Sequence, residues 1–301
     1  MPYKIFTVIT MLLLPHILWG AKDDIRIEAK ADVKKSGYVG ETYEYTVTLT
    51  SNYPNIADIR VASGPDYDEN LEVLRGVIQN QRGKEVTEKG KTTFQWVIQR
   101  NFIIPKKPGK YTIGDWKFVA FIPVEKVVKD WFWGTRRVVD YEEYPVECKP
   151  VTIKADALPA NKTGYDYSGC IGDFTIESWF PAGKITAGNE AIAVFTISGY
   201  GSLEGLRVPN IVKLFNKGCR LKSVDQNDSQ TQRNGQLFSE VTLTCTFMPE
   251  NEDFTIDPLE LLFFNPDSKK YELEESEPLH WTGKENEPTK SSSGKNDAIQ
   301  I

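Results

Sequence analysis

From Thr42 to Thr50 the chain reads Thr-Tyr-Glu-Tyr-Thr-Val-Thr-Leu-Thr, with aromatic or aliphatic side chains at the odd positions and Thr or Glu at the even ones. A period of two sets one face on a core and the other in water, so the segment is a half-buried strand. Residues 241–247 alternate as cleanly. Further strands are predicted over residues 25–33, 71–79, 93–104, 116–123, 190–197 and 259–264. Turn clusters punctuate them, among them Asn52-Tyr53-Pro54-Asn55, Ser63-Gly64-Pro65-Asp66 and Asn265-Pro266-Asp267. No stretch sustains the 3.6-residue apolar repeat of a helix. Many short strands without intervening helices predict an all-β chain of sandwich architecture.

The pattern breaks once, between Pro150 and Phe174. A strand at Val151-Thr152-Ile153 runs into Leu158-Pro159, crosses Thr163-Gly164 and Ser168-Gly169, and a new strand opens at Phe174. Proline removes a backbone donor and glycine permits positive φ, so the stretch reads as a seam between two β domains. The halves repeat a plan. Gly40-Glu41 corresponds to Gly188-Asn189-Glu190, and Pro105 to Ile113 corresponds to Pro249 to Ile256. Tyr111 opens a strand after the first proline turn, as the corner tyrosine of an immunoglobulin-like sandwich does. Phe254 stands at the matching place without a hydroxyl. Gly199-Tyr200-Gly201-Ser202 reads as a turn between strands. The expected layout is a signal peptide at 1–20, a first immunoglobulin-like domain at 21–158 and a linker at 159–170. A second such domain follows at 171–283, then a disordered polar tail at 284–301 that lacks apolar groups to bury.

Charge and the N-terminus narrow the setting. Lys4 precedes a mostly apolar run over residues 5–19, Gly20 offers a cleavage point, and Lys22-Asp23-Asp24 follows. This is the form of a secretory signal; retained, the same run is an N-terminal anchor. Cleavage leaves 35 basic and 42 acidic residues, a net charge of −7, which argues against a nucleic-acid binder. The expected location is the periplasm or cell envelope, with the chain soluble once the signal is removed.

One insertion within the first domain stands out. Residues 124–130 lead into Trp131-Phe132-Trp133-Gly134, and Arg136-Arg137-Val138-Val139 lead out, so three aromatics occupy the tip of a hairpin. Such tips are ordinarily polar, and aromatics with Arg are the residues enriched in binding hot spots. Burying three rings removes roughly 450 Å² from water, on the order of 10 kcal/mol gross before association costs. Either the tip is exposed and docks a protein or a membrane surface, or it folds back and the rings are core.

Four cysteines suit an oxidising compartment. Cys219 and Cys245 each lie on the apolar phase of a strand. A hairpin around a polar loop at 225–235, with Leu221 opposite Leu243, sets the two cysteines face to face; a cross-strand disulfide or two buried thiols both satisfy that pattern. Cys148 and Cys170 flank the seam and are candidates to clamp it. Catalytic constellations are scarce: His280 is the only histidine beyond the signal, and no Cys-x-x-Cys, Gly-x-Ser-x-Gly or phosphate loop occurs. No catalytic, cofactor or metal residue is assigned. Asp66, Asp68, Glu69 and Asn70 read as a solvated acidic turn, since their spacing matches no calcium loop. Glu272, Glu274, Glu275 and Glu277 read as a solvated strand edge.

Four segments carry a family resemblance. They are Leu71 to Gly76, Phe102 to Gly114, Pro150 to Phe174 with its Ile171-Gly172-Asp173-Phe174, and Ile197-Ser198-Gly199-Tyr200-Gly201-Ser202-Leu203 through Val208-Pro209. The last is echoed by Phe263-Phe264-Asn265-Pro266-Asp267 and Tyr271. In this order they resemble the BatD type of oxygen-tolerance (aerotolerance) protein, a cell-envelope family of tandem immunoglobulin-like domains. The resemblance implies a non-enzymatic protein without cofactors, working beside membrane-anchored von Willebrand A-domain proteins, repeat-containing proteins and, indirectly, a MoxR-type ATPase. The family's membrane helix near the C-terminus has no counterpart here, as in a shortened or paralogous member, so membrane contact falls to partners or to the aromatic tip. Two other classes compete. A carbohydrate-binding or adhesin-like sandwich makes Trp131 and Trp133 its platform, and a hydrolase on a β scaffold needs two carboxylates converging in one cleft.

Overall fold

The computed structural model describes residues 25–78, 83–131, 134–208, 211–283 and 291–292. The expected signal peptide, Phe132, Trp133 and most of the expected polar tail lie outside the described residues.

Residues 27–156 form eleven strands. They are β1 (Ile27–Asp32), β2 (Ser36–Tyr38), β3 (Tyr43–Ser51), β4 (Asp58–Ser63), β5 (Leu71–Arg75), β6 (Lys84–Glu88), β7 (Lys91–Pro105), β8 (Gly109–Ile113), β9 (Trp116–Asp130), β10 (Gly134–Cys148) and β11 (Val151–Asp156). One sheet runs β4-β9-β10-β1-β3-β7-β5, with β6 also paired to β7, and a second runs β2-β11-β8. The alternation of β3 explains its place: Tyr43, Tyr45, Val47 and Leu49 are fully buried, while the threonines between them face outward. These four join Trp96, Ile103, Phe118 and Ile153 in one apolar core.

Residues 167–292 add β12 (Tyr167–Trp179), β13 (Ala191–Ser202), a single helical turn α1 (Ile211–Leu214), β14 (Cys219–Arg233), β15 (Gln236–Pro249), β16 (Asp253–Ile256), β17 (Glu260–Asn265), β18 (Lys270–Glu275), β19 (Leu279–Thr282) and β20 (Ser291–Ser292). The larger sheet runs β14-β15-β13-β12-β17-β18, β20 pairs with β12, and β16 pairs with β19. A separate core gathers Phe174, Phe195, Leu243, Phe247, Phe263 and Trp281. Among the described residues, strands of each half pair only within that half, so the all-β expectation holds, with two sheet systems and two cores.

The repeated plan is visible in hydrogen bonds. Gly40 N donates to Pro105 O, and Gly188 N donates to Pro249 O, each at 2.8 Å. Both glycines have φ of +81°, a left-handed conformation that favours glycine. Tyr111 Oη returns to Lys107 O at 2.6 Å, closing the corner, and Phe254 packs between Phe180 and Phe247. The halves differ in their parallel pairing: β10, the second arm of its hairpin, lies parallel to β1, whereas β17, a first arm, lies parallel to β12.

Two segment boundaries move. Tyr167 to Cys170 belong to β12 rather than the linker, because Gly169 at φ +89° and a register shift before Ile171 let the strand begin early. Gly199 to Ser202 continue β13 instead of turning. Gly201 lies opposite Gly172, and a Cβ on Gly201 would stand 2.3 Å from Ile171 O, so the glycines permit a close approach of two backbones. The halves also touch. Phe102, Ile104 and Leu74 meet Leu237 in a small apolar cluster, Tyr38 stands edge-on to Phe264 at 4.8 Å, and Val77 N donates to Gln232 Oε1 at 2.7 Å.

Candidate functional site

The strand pair β9–β10 is in register from Trp116↔Cys148 to Asp130↔Gly134. Its base is part of the large sheet, and there Trp116, Phe118, Ala120 and Ile122 enter the core on alternate positions. Support ends early. β4 pairs with β9 only between Lys117 and Phe121, and β1 meets β10 only at Ala29↔Cys148. Beyond Ile122↔Glu142 the hairpin continues as two strands with no third strand paired to them among the described residues. Eight further residues on β9, at about 3.3 Å each, carry the tip roughly 26 Å past the sheet.

The arm's side chains are placed by the pleat. On the face that continues the core lie Val124, Lys126 and Val128 with their partners Asp140, Val138 and Arg136. On the other lie Pro123, Glu125 and Val127 with Tyr141, Val139 and Arg137. Val127 is 64% exposed, Val139 62% and Trp131 at the tip 97%. Trp131 therefore belongs to neither core, and the fold-back reading fails for this residue. Arg136 and Arg137 are exposed, Arg137 Nη1 standing 3.5 Å from Glu125 Oε2. Lys126 and Asp140 pair across the arm, which lowers the Asp140 carboxyl and raises the Lys126 ammonium from their ordinary values. A two-stranded ribbon with apolar groups in water is marginal alone, and such a surface is ordinarily a contact surface.

Neither a scan against protein-family models nor a search of curated proteins finds a match for this chain.

The cysteine geometry differs from the sequence expectation. β14 extends through the expected polar loop to an Asn234-Gly235 turn with φ of +52° and +87°. Leu221 consequently pairs with Phe247, four residues from the expected Leu243, so Cys219 faces Pro249 and Cys245 faces Val224. The overlooked signal was Asn-Gly, the dipeptide that suits a two-residue hairpin turn. Cys148 sits in the first core and Cys170 in the second. All four thiols are free and buried. Burial pushes Cys170 and Cys219 up to about 11 and Cys245 to about 12, and raises Cys148 as well.

In the acidic turn, Asp68 Oδ1 accepts from Asn70 N and Nδ2, both at 2.8 Å, and these bonds lower its carboxyl. Of the acidic run, Glu272, Glu274 and Glu275 lie on β18, the outer strand of its sheet, and Glu277 follows the strand. His280 Nδ1 lies 3.1 Å from Thr255 Oγ1 across the β16–β19 pair.

One arrangement had no sequence signal. Lys106 Nζ stands 3.7 Å from Glu72 Oε2 and 3.8 Å from Glu204 Oε1, bridging the two halves. Hydrogen bonding with Glu204, then burial and Glu204's charge, push the Glu72 carboxyl up to about 7 against the pull of Lys106. Two carboxylates do converge, but at the seam and across one lysine. A cleft of about 890 Å³ also follows the seam, with Asp32, Glu41, Asp173 and Asp267 on its walls and Lys34 paired to Glu41.

Proposed function

We propose that this chain is a non-enzymatic envelope interaction protein of the BatD type, exported and built from two tandem immunoglobulin-like sandwiches. It acts as a scaffold beside membrane-anchored von Willebrand A-domain proteins, with the β9–β10 arm as its docking element. The order of the family-like segments supports this reading, and so does the closing bond that recurs at Gly40–Pro105 and Gly188–Pro249. The observation that carries the docking role is the unsupported arm ending in Trp131, 97% exposed. Crosslinking and co-purification from envelope fractions tests it. Wild-type chain should recover von Willebrand A-domain proteins, and Trp131→Ser should recover far fewer. Recovery of none by the wild type removes the reading.

A further inference from the structure

We infer that the tip of the β9–β10 arm seats on an anionic bilayer surface, a proposal that rests on the arm being a docking element and names what its end touches. Charge along the arm is graded, with the Lys126–Asp140 and Arg137–Glu125 pairs bridging its middle and Lys129 and Arg136 nearest the tip. The distal part, residues 126–137, carries Lys126, Lys129, Arg136 and Arg137 against the single acid Asp130. The proximal part, residues 116–125 and 139–148, carries Lys117 against Glu125, Asp140, Glu142, Glu143 and Glu147. In a chain with a net charge of −6, the cationic end is the one that projects. An anionic surface draws in that end and repels the base, which fixes orientation as well as attraction.

The spacing fits a membrane interface. Counting register pairs back from Asp130↔Gly134, Lys129 is one pair below the tip, Arg136 two, Arg137 three and Lys126 four. At about 3.3 Å per residue these cations stand roughly 3 to 13 Å behind Trp131. Each headgroup layer is roughly 5–8 Å deep. With Trp131 at the hydrocarbon boundary, where an amphipathic indole is favoured, Lys129 and Arg136 reach lipid phosphates, and Arg137 and Lys126 lie at the edge of the layer. Deep entry is barred: beyond residue 122 each arm has one partner strand, and its open edge holds backbone groups that need water. The contact is therefore interfacial and shallow.

Sedimentation of the purified chain with protein-free vesicles tests this, comparing phosphatidylcholine alone with phosphatidylcholine containing about 30% phosphatidylglycerol. The wild type should bind the anionic vesicles and release as salt rises. Each basic residue near such a surface contributes about fivefold, so Lys129→Gln with Arg136→Gln should weaken binding on the order of 25-fold. Trp131→Ser should also lose binding, and thermal unfolding of both variants should match the wild type. Equal binding to both vesicle types, no binding, or undiminished binding by Trp131→Ser overturns the inference. If vesicles fail while envelope crosslinking still depends on Trp131, the arm docks a protein and the lipid inference alone falls.

Discussion

Gly201 and Gly172 show how a single residue decides whether two strands can meet. A Cβ on Gly201 would lie 2.3 Å from Ile171 O and 2.7 Å from Gly172 Cα, at a φ of +136° that other residues rarely adopt. Gly201→Ala is expected to cost about 2–4 kcal/mol, read as a lowered urea midpoint. An unchanged midpoint would mean the β12–β13 approach is not tight. Tyr111 is a milder case. Its hydroxyl closes a corner on Lys107 O, so Tyr111→Phe should cost about 1 kcal/mol in the same assay. The cysteines give a third expectation. Their burial and raised thiols predict no alkylation of the folded chain and four additions after denaturation without reductant, counted by intact mass. Fewer than four additions would reveal a disulfide.

At the scale of the element, the β9–β10 pair is two objects joined end to end. Its base is held by β4 on one side and fills the core with Phe118 and Ile122, while its distal part has only its own partner strand. Stability should follow that division. Trp131→Ser is expected to leave the unfolding temperature within about 2 °C of wild type, as surface changes do. Phe118→Ala, which empties a site 1% exposed, should cost about 3–5 kcal/mol. A large loss of stability in Trp131→Ser would place the indole in a core after all. β14 carries the complementary lesson. Its long polar edge depends on the Asn234-Gly235 turn, and that turn sets every pairing back to Cys219.

Across the whole molecule, Glu72, Lys106 and Glu204 join the halves in a way that depends on pH. The folded Glu72 carboxyl is raised from 4.5 to about 7, so the folded state holds its proton where the unfolded state has lost it. That contribution is fully present below about pH 4.5 and is lost as pH rises through 7. Glu204 and Lys106 are each 51% exposed, and solvent screening reduces the effect to about 1 kcal/mol. Urea midpoints taken at about pH 5 and about pH 8 should show the decline, and Glu72→Gln should flatten it. A decline that persists undiminished in Glu72→Gln would assign the dependence to other groups.

The sequence alone determined what local periodicity and turn chemistry encode. The alternation of Tyr43 to Leu49 specified a buried face, and Gly40 and Gly188 marked matching strand entries in the two halves, because a period of two and a required positive φ are properties of short segments; that these glycines bond to Pro105 and Pro249 was decided by the fold. The hairpin of Trp131 was equally legible. Tertiary structure alone decided which surfaces those segments meet. Whether Trp131 faced a core depended on where β4 stops pairing. The partner of Cys219 depended on a register set by a turn fifteen residues away. Glu72 and Glu204, separated by 132 positions, met only when the two halves packed. Each of these outcomes is fixed by long-range packing, which leaves no periodic trace in the chain.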